Sequence, residues 1–410
     1  MNKKIKYVFL CLLGITILSC NSKQSENNKQ ETKDEIINRV FTLAEKQYTS
    51  LINKIGDNDP LLMPRSIDKD GNLWLRPYSD WTSGFFPGSL WYIYKNKPKD
   101  KWRKNAIKFT EALDSAKYIT NTHDLGFMID YSYGAAYDVS HDEKYANVLV
   151  AAADVLASRF RPKAGVIQSW DTTPDMGWIS QRGWDMPVII DNMMNLDLLF
   201  KATMITGDSV YFNIAVKHAE TTMKNHFRND ASSYHVVDYD SKTGSVRSKQ
   251  TAQGYADNSS WARGQAWGLY GFTQTYINTG NKKFLEQAVR IADYIMNNPK
   301  IPKNLIPYWD YDAPDIPNAP TDASSAAITA SALFSLMQYM PAKKKVLMKN
   351  YAEKIIRELT SNYYLATIGT NHGFILKHSV GNIHTGEEDD KPLNYADYYL
   401  LEALTKWKNI

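Results

Sequence analysis

From Ile36 onward, apolar residues recur at three- and four-residue steps in one stretch after another. In the first, Ile36, Val40, Ala44, Tyr48, Leu51 and Ile55 keep that spacing, and Gly56 stands where a helix C-cap belongs. The pattern returns at 84–95, 101–116, 126–139, 143–160, 188–205, 209–226, 259–279, 282–297, 322–339, 343–361 and 395–407. The chain is therefore expected to be all-α, with about twelve helices.

These stretches come in pairs. A helix rich in small and aromatic residues ends in a turn such as ITGDSVYF, NTGNKKFL, VSHDEKYA or NKPKDKWR, and a more charged amphipathic helix follows. The first member is suited to burial on all sides, the second to a half-exposed position. Six such pairs make an (α/α)6 barrel with the buried helices inside. An open solenoid of helical pairs is the competing arrangement, because periodicity alone does not show closure.

The N-terminus has a different character. Lys3, Lys4 and Lys6 precede the apolar run VFLCLLGITIL, and Leu18-Ser19-Cys20 follows, which matches an export signal ending in a lipoprotein cleavage site. Residues 1–20 are thus expected to be a signal peptide with Cys20 acylated, the alternative being an ordinary secretory signal with an incidental cysteine. Either reading places the protein outside the cytoplasm, and the first anchors it to a bacterial membrane. Residues 21–35, with no aliphatic or aromatic side chain, read as a disordered tether. No linker divides residues 36–410, which are taken as one catalytic-sized domain. Cys11 and Cys20 are the two cysteines, so the mature chain has neither a disulfide nor a thiolate metal cluster. The net charge of +4 is scattered rather than blocked, which gives no nucleic-acid footprint. Eleven Trp and twenty-six Tyr suit stacking on sugar faces, although such residues also fill cores.

Chemistry gathers at the starts of the presumed inner helices: SDWTSGFFPGSLW, HDLGFMIDYSYGAAYD, VIIDNMMNLDLLF, ADNSSWARGQAWGLYGF, TDASSAAITASALF and NYADYYLLEAL. Most carry Asp or Asn, which could simply cap a helix N-terminus. For Asp322, followed by Ser324 and Ser325, capping is the expected role. Asp124 and Asp191 lie among apolar and aromatic residues at the mouth of a central cavity, where an idle carboxylate is costly. Two acids there point to acid/base chemistry.

WTSGFFPG at 81–88, HDLGF at 123–127, IIDNMMNL at 189–196 and SSWARGQAWGLYG at 259–271, in that order and ending in NYADYYLLEAL, resemble the unsaturated glucuronyl hydrolases of glycoside hydrolase family 88. The resemblance implies the (α/α)6 barrel and a glycosidase that removes 4,5-unsaturated uronic acid from the non-reducing end of lyase-generated oligosaccharides. It does so by hydrating the C4=C5 double bond, so the usual reading of two carboxylates as an inverting or retaining pair does not apply. It assigns Asp191 as the acid/base that protonates C4 and helps water add at C5; the apolar neighbours Ile189, Ile190 and Met193 favour the protonated form it needs. Asp124 is implied to stay ionised, orienting the sugar and stabilising positive charge on the ring. His235 and Gln253 match positions that hold substrate and water. Trp81, Trp261 and Trp267 match aromatic positions of the cavity, and Arg263 is a fork for a carboxylate or sulfate.

The segment LKHSVGNIHTGEEDDKPLNYAD resembles a loop closing over the sugar beyond the cleavage point, but the acidic run Glu387 to Asp390 would repel an anionic glycan there, and a solvated loop explains it equally. His378, Ser379 and His384 are left without a role. No metal motif and no cofactor are expected, and no obligate protein partner is inferred. Two rival functions are an unsaturated rhamnogalacturonyl hydrolase acting on pectin fragments and a non-catalytic, lipid-anchored glycan-binding protein.

Overall fold

A computed structural model describes residues 30–57 and 61–410; the export signal, Cys20 and residues 21–29 of the tether lie outside them. In chain order the elements are α1 (Lys33–Ile55), β1 (Met63–Ile67), β2 (Leu73–Arg76), α2 (Phe85–Asn96), α3 (Asp100–Glu111), α4 (Ala135–Ser140), α5 (Glu143–Ser158), β3 (Phe160–Arg161), β4 (Val166–Ile167), β5 (Met186–Ile189), α6 (Leu196–Thr206), α7 (Ser209–Asn225), β6 (Val236–Tyr239) and β7 (Val246–Gln250). Then come α8 (Ala262–Thr279), α9 (Lys282–Asn297), α10 (Ala323–Leu336), α11 (Ala342–Leu359) and α12 (Asn394–Lys408). A π-helical turn, Gly126–Gly134, leads into α4, and a 3₁₀ segment, Ile190–Asn195, leads into α6.

The ring closes. The segment α2 packs against 126–140, that against 190–206, then α8, α10 and α12 in turn, and α12 returns to α2. This circuit excludes the open solenoid. The outer helices α1, α3, α5, α7, α9 and α11 lie between neighbouring inner ones. Burial follows the two compositions. Every residue of α10 from Ala323 to Phe334 is buried, whereas α9 buries one stripe, Phe284, Gln287, Ala288, Ile291, Ala292 and Ile295.

The connecting turns set the alternation. Gly207 and Gly280 end α6 and α8 at φ of 75° and 66°, conformations a side chain disfavours. The next residues start the following helix: Asp208 accepts a hydrogen bond from Val210 N and Asn281 from Lys283 N. Asp142 does the same for α5.

Two of the differences from the periodicity have a clear physical reason. Helix α1 begins at Lys33, so Lys33, Asp34 and Glu35 belong to its first turn rather than to the tether, Asp34 and Glu35 matching the positive helix end. The stretch from Val188, expected to be helix, opens as a strand: Pro187 and the β-branched Val188 and Ile189 pair antiparallel with β6, which pairs with β7. Asp191 then stands just beyond the strand end, and the register Ile189 to Val236 sets it against His235.

Candidate active site

The two carboxylates arrive on separate inner segments whose backbones touch. A Cβ on Gly126 would sit 2.5 Å from Asn195 Cα, so only glycine allows that approach. Asn195 Oδ1 also accepts a hydrogen bond from Phe127 N at 3.0 Å. The π-turn that follows Asp124 is a geometry often found at functional sites. Neither acid caps its helix, unlike Asp322, which accepts from Ser324 N and Ser324 Oγ as expected.

Asp124 and Asp191 line one cavity of about 310 Å³ together with Trp81, Gln253 and Arg263. Asp191 is 6 % exposed, and its Oδ1 lies 3.6 Å from His235 Nε2. Both atoms are buried and neither makes a hydrogen bond. The other ring nitrogen is committed: His235 Nδ1 accepts from Ala252 N and Gln253 N, each at 3.1 Å. The ring proton therefore sits on Nε2, facing Asp191. Trp261 packs against the imidazole, ring centres 4.4 Å apart and tilted by 33°.

Asp124 Oδ2 accepts a 2.6 Å hydrogen bond from Thr122 Oγ1, and His123 Nε2 lies 3.2 Å from Oδ1. Burial pushes its carboxyl above the ordinary carboxylate value; the charge of His123 and the Thr122 hydroxyl pull it down, while Asp191 and Asp80 push it further up. The acid implied to stay ionised is thus one whose ionised form burial disfavours.

The remaining expected residues separate by depth. Trp81 stands at the rim, its ring 5.5 Å from that of Phe127, and Gln253 donates from Nε2 to Gly381 O at 3.1 Å. Arg263 reaches the cavity wall but is 1 % exposed. Its guanidinium faces Asp322 at 3.4 Å, donates to Val380 O and Gly381 O, and lies over Trp261. Its fork is thus occupied by the protein, a different use from the one expected. Trp267 departs from expectation altogether. It is fully buried, packed on Phe127 and Tyr399 beneath the cavity, because it follows Trp261 by six positions along α8, about 9 Å deeper at 1.5 Å per residue.

Several lining residues were not legible in advance: Arg65, Trp74, Trp170, Trp178, Asn382 and Glu388. Arg65 forks onto Glu388 at 2.7 and 2.9 Å and reaches Asp80 at 3.0 Å. Glu388, read as part of a solvated acidic run, is 3 % exposed and neutralised there, and Asp390 pairs with His378 at 2.6 Å. Among the described residues no group of three or more His, Cys, Asp or Glu is placed to hold a metal ion.

A closed barrel of helix pairs, with two buried acids at the mouth of a tryptophan-walled cavity, defines a carbohydrate-active enzyme of the (α/α)6 type. The sequence profile of Glycosyl Hydrolase Family 88 matches residues 66–343. An unsaturated glucuronyl hydrolase of Formosa agariphila is 40 % identical over all of this chain and 99 % of its own, and one of Bacillus sp. is 33 % identical over 87 % and 92 %. The crystal structure of an unsaturated glucuronyl hydrolase specific for heparin superposes with a TM-score of 0.86 at 45 % identity, covering 92 % of this chain and 99 % of that one. The chain belongs to glycosyl hydrolase family 88 and is a glycosidase. That membership favours the glucuronyl reading over the rhamnogalacturonyl and glycan-binding alternatives.

Proposed function

We propose that the protein removes a 4,5-unsaturated glucuronic acid from the non-reducing end of lyase-generated oligosaccharides by hydrating the alkene. The observation that carries this reading is the facing pair of buried, unbonded atoms, Asp191 Oδ1 and His235 Nε2, at the wall of the cavity that Asp191 lines together with Asp124. In this scheme the Asp191 carboxyl delivers its proton to C4, and the positive charge left at C5 is shared with the ring oxygen. A water adds at C5 and gives its proton to the Asp191 carboxylate, restoring the acid. The C5 hemiketal opens by breaking the bond from C5 to the ring oxygen, and the hemiacetal so formed at C1 expels the second sugar. Asp124, ionised, stabilises the charge on the ring. His235 donates from Nε2, orienting either the acid or the water, and Trp81 offers a flat face to the unsaturated ring.

The experiment is a panel of unsaturated disaccharides from different uronate glycans, followed by loss of the alkene's ultraviolet absorbance. Turnover of at least one supports the reading, and no loss on any member contradicts it.

A pH profile tests the place of Asp124. Because activity needs its ionised form and burial raises its pKa, the acid limb of kcat/KM lies above the pH of an ordinary carboxylate. Thr122→Val removes the hydroxyl that favours the anion, so the acid limb moves to higher pH. An unmoved limb would detach Asp124 from that limb.

We also propose export and anchoring through an acylated Cys20, supported by the lysines, apolar run and Leu18-Ser19-Cys20 that end the leader. Cys20→Ala is expected to move the protein from the membrane to the soluble fraction; unchanged fractionation would remove the anchor.

A further inference from the structure

The catalytic cavity does not end at its own walls. A second groove of about 540 Å³ shares Trp178, Asn382 and Thr385 with it and runs on over the turn Thr251 to Asp257 and His384, which a 2.9 Å hydrogen bond from His384 Nε2 to Gly254 O ties together. We propose that this groove is a subsite for the third sugar of the substrate, two rings past the unsaturated uronate, and that it takes an anionic pyranose. The inference rests on the hydrolase reading above.

Three features carry it. First, continuity: the residues shared by the two cavities make one path, so a chain leaving the catalytic cavity enters the groove. Second, aromatic faces: Trp178 and Tyr255, 49 % and 47 % exposed, both line it. Large exposed aromatics sharing one groove mark a binding surface rather than a core. Trp178 is held by its neighbours, its ring 5.5 Å from Trp170 and 6.1 Å from Trp184, so it is a fixed platform. Third, charge: Arg182 lies 4.8 Å over Trp184, donates to Thr251 O, and has no carboxylate within ion-pair distance among the described residues. Arg65 and Arg263 in the catalytic cavity are both neutralised by buried acids. The groove's own acid, Asp257, accepts from Thr251 N at 2.9 Å. In a glycan that alternates uronate with a second sugar, the next carboxylate falls on the third ring, where Arg182 can meet it.

The test compares kcat/KM on the unsaturated disaccharide and tetrasaccharide from one lyase digest of the same glycan. The wild type is expected to favour the tetrasaccharide by about tenfold, the gain of one stacked and charge-paired ring. Tyr255→Ala and Arg182→Gln, each checked by thermal unfolding, are expected to bring the tetrasaccharide down to the disaccharide's value and leave the disaccharide unchanged. Added salt should erode the preference of the wild type and leave the ratio for Arg182→Gln near one at every salt concentration. Equal wild-type values on the two substrates, or variants that keep the preference or lose both substrates in parallel, would overturn the subsite alone. No turnover of either substrate would instead overturn the hydrolase reading beneath it.

Discussion

Asp191→Asn is expected to lower kcat by about 10³- to 10⁴-fold while leaving the fold intact. The amide keeps the shape of the side chain and presents an oxygen to His235 Nε2 as the carboxylate does, 3.6 Å away, so packing at the end of β5 is preserved. What it lacks is a proton acidic enough for C4 and a base to take the proton of the water. Substrate binding should survive, because the cavity walls are supplied by Trp81, Trp170, Trp178 and Gln253. Steady-state kinetics together with thermal unfolding separate the two effects. Full activity in the folded variant would remove Asp191 from the chemistry, and a large drop in melting temperature would make the loss of rate uninformative about it. In that case Asp191→Glu, which keeps the acid but lengthens its arm, supplies the second comparison.

Asp322→Ala is expected to destabilise the protein by about 3–5 kcal/mol. Asp322 and Arg263 are each 1 % exposed in their side chains, so removing the carboxylate leaves a buried guanidinium with backbone carbonyls and the rings of Trp261 and Tyr395 around it but without its ion-pair partner. The same residue caps α10 through Ser324 N at 3.0 Å, an interaction worth about 1 kcal/mol. Asp322→Asn keeps a cap oxygen and removes the charge, so its loss relative to the wild type reports the ion pair and the further loss in Asp322→Ala reports the cap. Urea unfolding should show a lower midpoint with an unchanged slope. A change within about 0.5 kcal/mol, the range of ordinary surface substitutions, would show that the carbonyls of Val380 and Gly381 suffice for Arg263.

The barrel was legible because each inner and outer helix has its own composition and each turn its own chemistry, as Gly207 with Asp208 and Gly280 with Asn281 show. Closure was not legible, since it depends on α12 meeting α2 across some three hundred residues. Asp124, Asp191 and Trp81 stand in ordered motifs at helix starts, whereas His235 and Gln253, beside β6 and in the turn after β7, were readable only through the family resemblance. Arg65, Trp74, Trp170 and Trp178 stand in hairpins and short turns between helices, where no periodicity marks a residue as facing inward. Trp267 was misplaced for the opposite reason: a motif places a residue along the chain but does not say how deep a helix has carried it. Glu388 was misread within an acidic run because its partner, Arg65, lies 323 positions away.

The proposed reaction begins at the alkene and not at the anomeric carbon. Turnover of an unsaturated disaccharide in heavy water, followed by nuclear magnetic resonance, tests it most directly. Hydration predicts deuterium on C4 of the released sugar and loss of the double bond in step with cleavage. Release of a sugar that still carries its C4=C5 double bond, with no deuterium at C4, would contradict the account.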